Sequence, residues 1–516
     1  MKKKYDFKGG VQCLPIKKDS REHFLHYLPD PEKFFIHITH SHLKKNRLRV
    51  KIGQEVLCGQ PLTFGNDVIV PIHSPTSGWI ENIYFSSNSS DKNQEKIKIV
   101  ILSNHLNKWI RLKTINDYKK YTPKDLIKII YQSGVVGLGG AQFPSFKKLM
   151  LSINKVHTLV INGIESEPCI TADYCLMQNY MNEILIGCEI VAWISKVKDI
   201  LIVVQEDKVE LILRIQSIIK DKKLFKLCII KKKYPGGSSK ILIKSLIGKE
   251  IPCGKHSIDI GYLIFNVSTI YAIKRSVING EPLIKRIVTF YQKDENISSK
   301  NFWIKIGTPI NFFLNYLKIN NNSNISIYSG GVFMRHLIVD LNKSIQKNIN
   351  CIYIKNSKTE KKVEYPCINC GYCVSACPIN LLPQEIFLYC KNSNNKKLKE
   401  LNVVDCIECK VCERVCPSNI PLVKHFKIAK KIQKIIDVDN NRKKLFSYLF
   451  KKREKRLLIE KKISCSQDQI SSVKRLDIFS KIQQQEKNDF TNQKIIEKSY
   501  RKKMLNEAIK RARLKR

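Results

Sequence analysis

Two stretches of the chain repeat one cysteine pattern. Cys367, Cys370, Cys373 and Cys377, followed by Pro378, read C-x2-C-x2-C-x3-C-P, and Cys406, Cys409, Cys412 and Cys416, followed by Pro417, repeat it. Three thiolates at two-residue gaps wrap a loop around one cubane, while the fourth opens a helix, points away and ligates the neighbouring cluster. The ligand sets therefore cross. One [4Fe–4S] cluster takes Cys367, Cys370, Cys373 and Cys416, and the other takes Cys406, Cys409, Cys412 and Cys377. Structural zinc also uses paired C-x2-C, but it needs neither the third cysteine, nor the fourth, nor the proline. A double cubane moves one electron at a time, so the pattern predicts an electron-transfer protein with a helical ferredoxin-like unit over residues 360–425. The other cysteines, among them Cys169, Cys188 and Cys253, are scattered and read as small buried hydrophobes.

Eighteen cysteines, eight of them in these clusters, indicate a reducing compartment and metal ligation rather than disulfides. The first ten residues hold no apolar run of the kind a secretory signal needs, so no export is expected. The most apolar region, residues 183–204, is broken by Glu189, Lys196, Lys198 and Asp199, well short of the roughly 20 apolar residues of a membrane span. Any membrane contact is then peripheral. The chain carries 91 Lys and Arg against 45 Asp and Glu, a net charge of +46. Such a balance attracts nucleic acid or anionic membrane. Isoleucine, lysine and asparagine dominate throughout, however, so a coding bias supplies much of that charge without any partner.

The rest of the 516-residue chain divides by hydrophobic period. Residues 34–83 alternate as strands do, with turn glycines at Gly53, Gly59, Gly65 and Gly78, and predict a small all-β module within residues 1–110. Its phrases around Gly53 and His73 resemble the barrel-sandwich fold of biotinyl and lipoyl carriers, but no lysine sits at an attachment hairpin, which favours a scaffold. From Thr122 the period becomes helical: Thr122 caps, Pro123 takes the first helical position, and Leu126, Ile129 and Ile130 form one face. Strands at 156–161, 200–205 and 224–230 alternate with helices at 171–196 and 207–219, which predicts a parallel sheet covered on both faces, a three-layer α/β domain over 120–258. Such sheets bind ligands at the carboxyl ends of their strands. After Gly261 short strands and helices mix, giving a compact α+β unit over 259–350. The tail, 426–516, is strongly basic and poor in turn formers, and reads as solvated helices or a disordered extension.

Within the α/β domain, Gly134 to Pro144 forms a glycine-rich turn between two helices rather than after a strand, so it fails the context of a Rossmann fingerprint. Bare glycines still let backbone amides approach a phosphate, and Lys147 or Lys148 adds a counter-charge. The strand ending at Asn162 continues into Glu165 and Glu167, placing an amide and two carboxylates at the carboxyl end of the sheet. Carboxylates beside a phosphate loop are poor core residues; they suit ribityl hydroxyls, a flavin ring or a nicotinamide ribose. A solvated surface role is the alternative.

Several phrases together resemble the C subunit of the Rnf (Rsx) ion-translocating electron transport complex. They are Gly137 to Pro144, Asn162 to Ala172, Tyr234-Pro235-Gly236-Gly237 leading to Gly248 to Pro252, Asn266 to Thr269, Gly280 to Leu283, and both cysteine motifs. The similarity covers about residues 5–430. It implies a subunit related to the complex I NADH-binding flavoprotein, peripheral on the cytoplasmic side of the cell inner membrane. It also implies noncovalent FMN, two [4Fe–4S] clusters and exchange with NAD(H). The expected partners are integral membrane subunits, a ferredoxin-like subunit and the membrane surface, with no nucleic acid. By the same resemblance Gly137, Gly139, Gly140, Lys148, Asn162, Glu165, Glu167, Asn266 and Thr269 surround the flavin, and the α+β unit is a β-grasp module. The chain departs from the family at Ser238-Ser239-Lys240, where a glycine-glutamate-lysine is expected, and at Ile164, where the flavoprotein has an aspartate.

No nucleophile or general-base triad is present, so the chemistry belongs to cofactors, and the predicted activity is that of a translocase-type NADH/ferredoxin oxidoreductase, exercised as one subunit of the complex. Ion pumping falls to membrane partners. Three alternatives stay open: a cluster-only relay without nucleotide, a role in reducing a redox-sensing regulator, and a nucleic-acid-binding iron–sulfur protein, for which no binding motif is found.

Overall fold

The computed structural model describes residues 4–12, 24–39, 48–87, 95–292, 299–319, 325–356 and 363–465. Two short N-terminal strands, β1 (Lys4–Tyr5) and β2 (Leu25–Tyr27), leave the rest of the N-terminal region to join sheets formed much later in the chain. The N-terminal module itself is an antiparallel sheet of β3 (Lys33–Thr39), β4 (Glu55–Val56), β5 (Gly78–Ser87) and β6 (Glu95–Ser103), in the order β3-β6-β5-β4. Phe34, Ile36 and Ile38 on β3 and Ile97, Ile99 and Ile101 on β6 alternate inward, the period-2 pattern of a strand with one buried face.

Helix α1 (Pro123–Gln132) opens with a capping box between Thr122 and Asp125 and buries Leu126, Ile127 and Ile130. After it come α2 (Ser145–Ser152), β7 (Thr158–Asn162), α3 (Ala172–Ser195), β8 (Asp199–Gln205), α4 (Val209–Ile219), β9 (Phe225–Ile230), α5 (Ser239–Ile247), β10 (Tyr262–Asn266) and α6 (Val267–Ile278). The sheet runs β1-β9-β8-β7-β10, parallel throughout. Its strands are apolar on both faces because helices cover both: Leu159, Ile161 and Leu263 pack with α1, α2, α3, α4 and α6, while Val160, Val203 and Ile264 pack with Leu242 and Ile243 of α5.

β10 and α6 correct the expectation that everything after Gly261 forms a separate unit. β10 pairs with β7 along its whole length, so the α/β sheet runs on to Asn266 and the next unit starts near residue 280. That unit is a mixed sheet of β11 (Lys285–Gln292), β12 (Lys300–Lys305), β13 (Ile325–Ser329), β14 (His336–Leu337) and β15 (Cys351–Asn356), in the order β14-β13-β15-β11-β12-β2, covered by α7 (Ile310–Tyr316). The cysteine region holds short helices α8 (Tyr372–Ser375), α9 (Pro383–Lys391), α10 (Asn395–Glu400) and α11 (Val411–Arg414) around Ile386, Phe387 and Phe426. Helix α12 (Leu422–Cys465) carries the start of the basic tail; the rest of the tail lies outside the described residues. Residues 1–433 form one compact unit and 434–516 a second. Among the described residues no helix is long and apolar enough to cross a membrane.

Candidate flavin and iron–sulfur sites

The glycine-rich turn lies between α1 and α2 and is clamped at Leu138. The Leu138 amide donates to Thr269 Oγ1 at 2.9 Å, and its carbonyl accepts from the buried Arg286 at 3.3 Å. The Gly137 amide closes the turn on the Phe143 carbonyl at 2.8 Å. Between these anchors Gly139 lies over Asn266, where a Cβ would stand 3.4 Å from the asparagine Cβ. Gly140, at φ +110°, faces open space with nothing within 4 Å of a built Cβ. The Gly139 and Gly140 amides have no protein acceptor among the described residues. A clamped loop with two free amides is a cradle for an anionic oxygen.

The carboxyl ends of β7 and β10 lie side by side, and Asn162 and Asn266 are register partners there. Asn162 Nδ2 donates to the Gly237 carbonyl at 2.9 Å, tying the 234–237 turn to the strand end, and its Oδ1 accepts from the Ile164 amide. Asn266 caps α6 through the Ser268 amide and donates to Asp173 at 2.5 Å. Asp173 also accepts from the Ser268 hydroxyl at 2.5 Å. Sequence reasoning misses Asp173, Ser268 and Arg286. Ser268 lies inside the Asn266 to Thr269 phrase and Asp173 opens the helix after Glu167, so proximity in sequence is the available signal.

The two carboxylates do not stand free. Glu165 accepts from the Asp173 and Tyr174 amides at 2.6 and 3.2 Å, occupying the N-terminus of α3. Burial, then repulsion from Asp173, holds its carboxyl well above the usual range, and burial raises Asp173 as well. Glu167 turns away to accept from the Phe333 and Met334 amides at 2.9 and 2.8 Å. Both carboxylates are thus half-buried and bound to backbone. Orphan amides at a helix start and in a loop supply the bonds that make their burial tolerable.

Lys148 reaches from α2 to the Ile264 carbonyl on β10, with its ammonium 4.7 Å from the centre of the Phe265 ring. It bonds no carboxylate among the described residues, and burial pushes its pKa down to about 8. A desolvated cation without a counter-ion, next to a loop with free amides, fits an anionic group such as a flavin phosphate. A small cavity of about 40 Å³, lined also by Tyr271 and Trp303, meets this site at Leu138, Ser268 and Arg286.

The 234–237 turn joins this site to the cysteine region. Tyr234 Oη donates to the Cys409 carbonyl at 2.9 Å, and its ring stacks on Phe333 at 4.2 Å and 13°. Phe333 is the residue whose amide Glu167 holds. Gly10 donates to the Ala376 carbonyl at 2.8 Å, and Lys240 pairs with Asp405 at 2.8 Å. The departure at Ser238-Ser239-Lys240 therefore leaves a lysine bound one residue before Cys406.

Two cavities lie among the cysteines. Cys377, Cys406, Cys409 and Cys412 line one; Cys367, Cys370, Cys373 and Cys416 line the other, each of about 20 Å³. Each takes three thiols from one motif and the fourth from the other. Burial, then the neighbouring thiols Cys406 and Cys377, pushes Cys409 up to about 12; burial, then Cys409 and Cys406, raises Cys412, and burial raises Cys406. Thiols held protonated by burial would lose their protons to a cationic centre bound among them. The Leu381 and Glu408 amides donate to Cys377 Sγ and Cys406 Sγ at 3.3 and 3.4 Å, as amides do around cluster sulfur. Among the described residues no three Cys, His, Asp or Glu side chains close on a point able to hold a single metal ion. Of the scattered cysteines, Cys58, Cys169, Cys175, Cys188, Cys228 and Cys351 are buried, Cys390 is half-buried, and Cys253 is exposed, against expectation.

Three families match in succession: the RnfC barrel sandwich hybrid domain over residues 5–105, the Nuo51 FMN-binding domain over 130–275 and a 4Fe-4S dicluster domain over 366–420. The second match ends inside α6, consistent with β10 lying in the α/β sheet. The C subunit of an ion-translocating oxidoreductase complex from Buchnera aphidicola subsp. Acyrthosiphon pisum is 53% identical over 490 residues, 95% of this chain and 100% of that one. Its counterpart from Buchnera aphidicola subsp. Baizongia pistaciae is 42% identical over 448 residues, covering 86% and 88%. A chain of an NAD+-reducing [NiFe]-hydrogenase crystal structure aligns at TM-score 0.42 and 15% identity over 60% of this chain and 63% of that one, too loosely to carry an argument. On the sequence relatives, which it matches nearly end to end, the chain belongs to the family of C subunits of ion-translocating oxidoreductase complexes.

Proposed function

We propose that the chain passes electrons between NAD(H) and the rest of an ion-translocating complex, using FMN at the carboxyl ends of β7 and β10 and two [4Fe–4S] clusters with crossed cysteine ligands. The observation that carries this reading is the connection from the Asn162 strand end, bonded to Gly237, along the 234–237 turn to Tyr234, whose hydroxyl bonds the Cys409 carbonyl. A flavin, when bound, exchanges hydride for single electrons, and the clusters take electrons singly.

The protein's part is to bind and to position. The Gly139 and Gly140 amides and Lys148 would hold the phosphate, and Gly137 and Thr269 would keep their loop in place. Asn162 and Asn266 would face the ribityl chain or ring, while Glu165 fixes the start of α3 behind them. Glu167 sets the Phe333 loop on Tyr234. Cys377, Cys406, Cys409 and Cys412 would ligate one cluster, and Cys367, Cys370, Cys373 and Cys416 the other. The mixed sheet after residue 280 is the β-grasp module of this reading. The protein would sit on the cytoplasmic side of the inner membrane beside integral membrane subunits and a ferredoxin-like subunit.

A second reading, a relay that uses only clusters, draws on the commitment of Glu165 and Glu167 to backbone amides and on the missing glutamate near Ser239. Anaerobic purification with iron and sulfide reconstitution separates the two. About eight irons per chain and a noncovalent flavin bleached by NADH support the nicotinamide route. The same iron without flavin, even after FMN is added, leaves the relay.

A further inference from the structure

Of the eight motif cysteines only Cys367 and Cys370 are exposed, and both line the same cavity. Cys377 and Cys412, in the other cavity, are buried, and that cavity is the one bonded to the α/β domain through Tyr234 and Cys409. The two sites are thus unequal: one faces the flavin domain and the other faces out.

Around the outward site four large apolar side chains stand in solvent: Val363, Tyr365, Ile368 and Tyr372, at 58, 57, 66 and 61% exposure. Ile368 lines the site, and the others stand on the segments that carry it. The Tyr365 amide donates to the Ser418 carbonyl and Asn419 donates to the Val363 carbonyl, next to Cys416, while Ile368 lies between Cys367 and Cys370 and Tyr372 follows Cys370 closely. Apolar groups collected in one place on a surface mark an interaction site rather than chance exposure. Tyrosines suit such a face, since they offer large rigid contact area with a polar tip.

We propose that Val363, Tyr365, Ile368 and Tyr372 form the docking face for a redox protein that carries its own one-electron centre near its surface, and that the Cys367, Cys370, Cys373 and Cys416 site is where electrons cross. The exposed thiols decide the occupant: electron transfer falls off steeply with distance, so a partner seated on this patch brings its centre closest to a cluster held there. In the crossing one electron leaves the reduced cluster and reduces the partner's oxidised centre, or the reverse, and no bond forms or breaks. An exchange face of this kind is small and short-lived, as redox encounters are. This inference rests on the redox reading above.

The test compares hydroxyl-radical footprints of the full chain alone and within the assembled complex, together with a Tyr365→Glu/Tyr372→Glu variant. Iron and flavin are measured first on the wild-type chain; a chain without clusters overturns both readings and is recognised by its iron content. Expected are strong protection of Tyr365 and Tyr372 in the complex and a loss of about 30-fold in electron exchange with the other subunits in the variant, with flavin reduction by NADH unchanged. Unprotected tyrosines, or a loaded variant that exchanges at the wild-type rate, overturn the docking face. Should the variant fail to load iron, the wild-type footprint alone decides.

Discussion

Thr269→Val is the most informative single change at the glycine-rich loop. Thr269 is fully buried and its hydroxyl accepts the Leu138 amide at 2.9 Å, while Leu138 is 4% exposed. Valine keeps nearly the same shape and removes the acceptor, so a buried N–H loses its partner at a cost of roughly 1–3 kcal/mol. If the loop moves to recover a partner, Gly139 and Gly140 move with it and the same energy appears in FMN binding. At 1.4 kcal/mol per tenfold, that weakens FMN by about 5- to 150-fold. The assay is flavin fluorescence quenching on apoprotein, with the urea midpoint recorded alongside. Thr269→Ser retains the acceptor and loses a methyl, worth about 1 kcal/mol of packing. It is expected to lower the urea midpoint yet bind FMN nearly as the wild type does. A valine variant that binds FMN within twofold of the wild type, while the serine variant is weakened, would refute the argument that the Leu138 clamp shapes the site.

Cys377→Ser is expected to reduce iron from about eight to about four per chain, and the surviving EPR signal should match that of Cys409→Ser, although Cys377 belongs to the other motif. Loss of the same signal in Cys377→Ser and Cys373→Ser would contradict the crossed ligand sets. Lys148, held down to about 8 in the ligand-free chain, regains a proton when an anion binds beside it. FMN affinity should therefore fall as pH rises through 8, and the slope should vanish in Lys148→Met. The sign for stability is opposite: between that value and the unfolded pKa near 10.4 the unfolded chain binds more protons, so Lys148 makes the fold more stable as pH rises through the window. Glu167→Gln leaves a single acceptor for the two amides of Phe333 and Met334, costing roughly 1–3 kcal/mol locally. Hydrogen exchange at those amides should quicken, and flavin-to-cluster transfer should slow with flavin content unchanged.

Much of the architecture is legible in the sequence because it rests on short-range rules. The Thr122-Pro123 start of α1 follows from capping and a fixed proline φ, the alternating Phe34, Ile36 and Ile38 from strand pleat, and the run Leu159-Val160-Ile161 from burial on both faces of a parallel sheet. Pattern alone assigns β10 to the wrong unit because a five-residue apolar strand reads alike in either sheet. Only pairing with β7, about a hundred residues earlier, distinguishes them. Lys148 reads as a counter-charge to a phosphate, and its sequence context holds no sign that α2 would aim it at the Ile264 carbonyl.

The sequence by itself determined the cysteine spacing, the glycine turn and the order of the domains, since each depends on residues within a few positions of one another. The tertiary structure decided where the polar side chains ended. Glu167 finds its amides 166 and 167 residues away, and Tyr234 reaches a carbonyl 175 residues on. A buried carboxylate or phenol must satisfy its hydrogen bonds with whatever backbone the fold leaves unpaired nearby, and which backbone that is depends on how separate units pack, not on local pattern. That packing also made the two cysteine sites unequal, enclosing one against the α/β domain and leaving Cys367 and Cys370 of the other exposed.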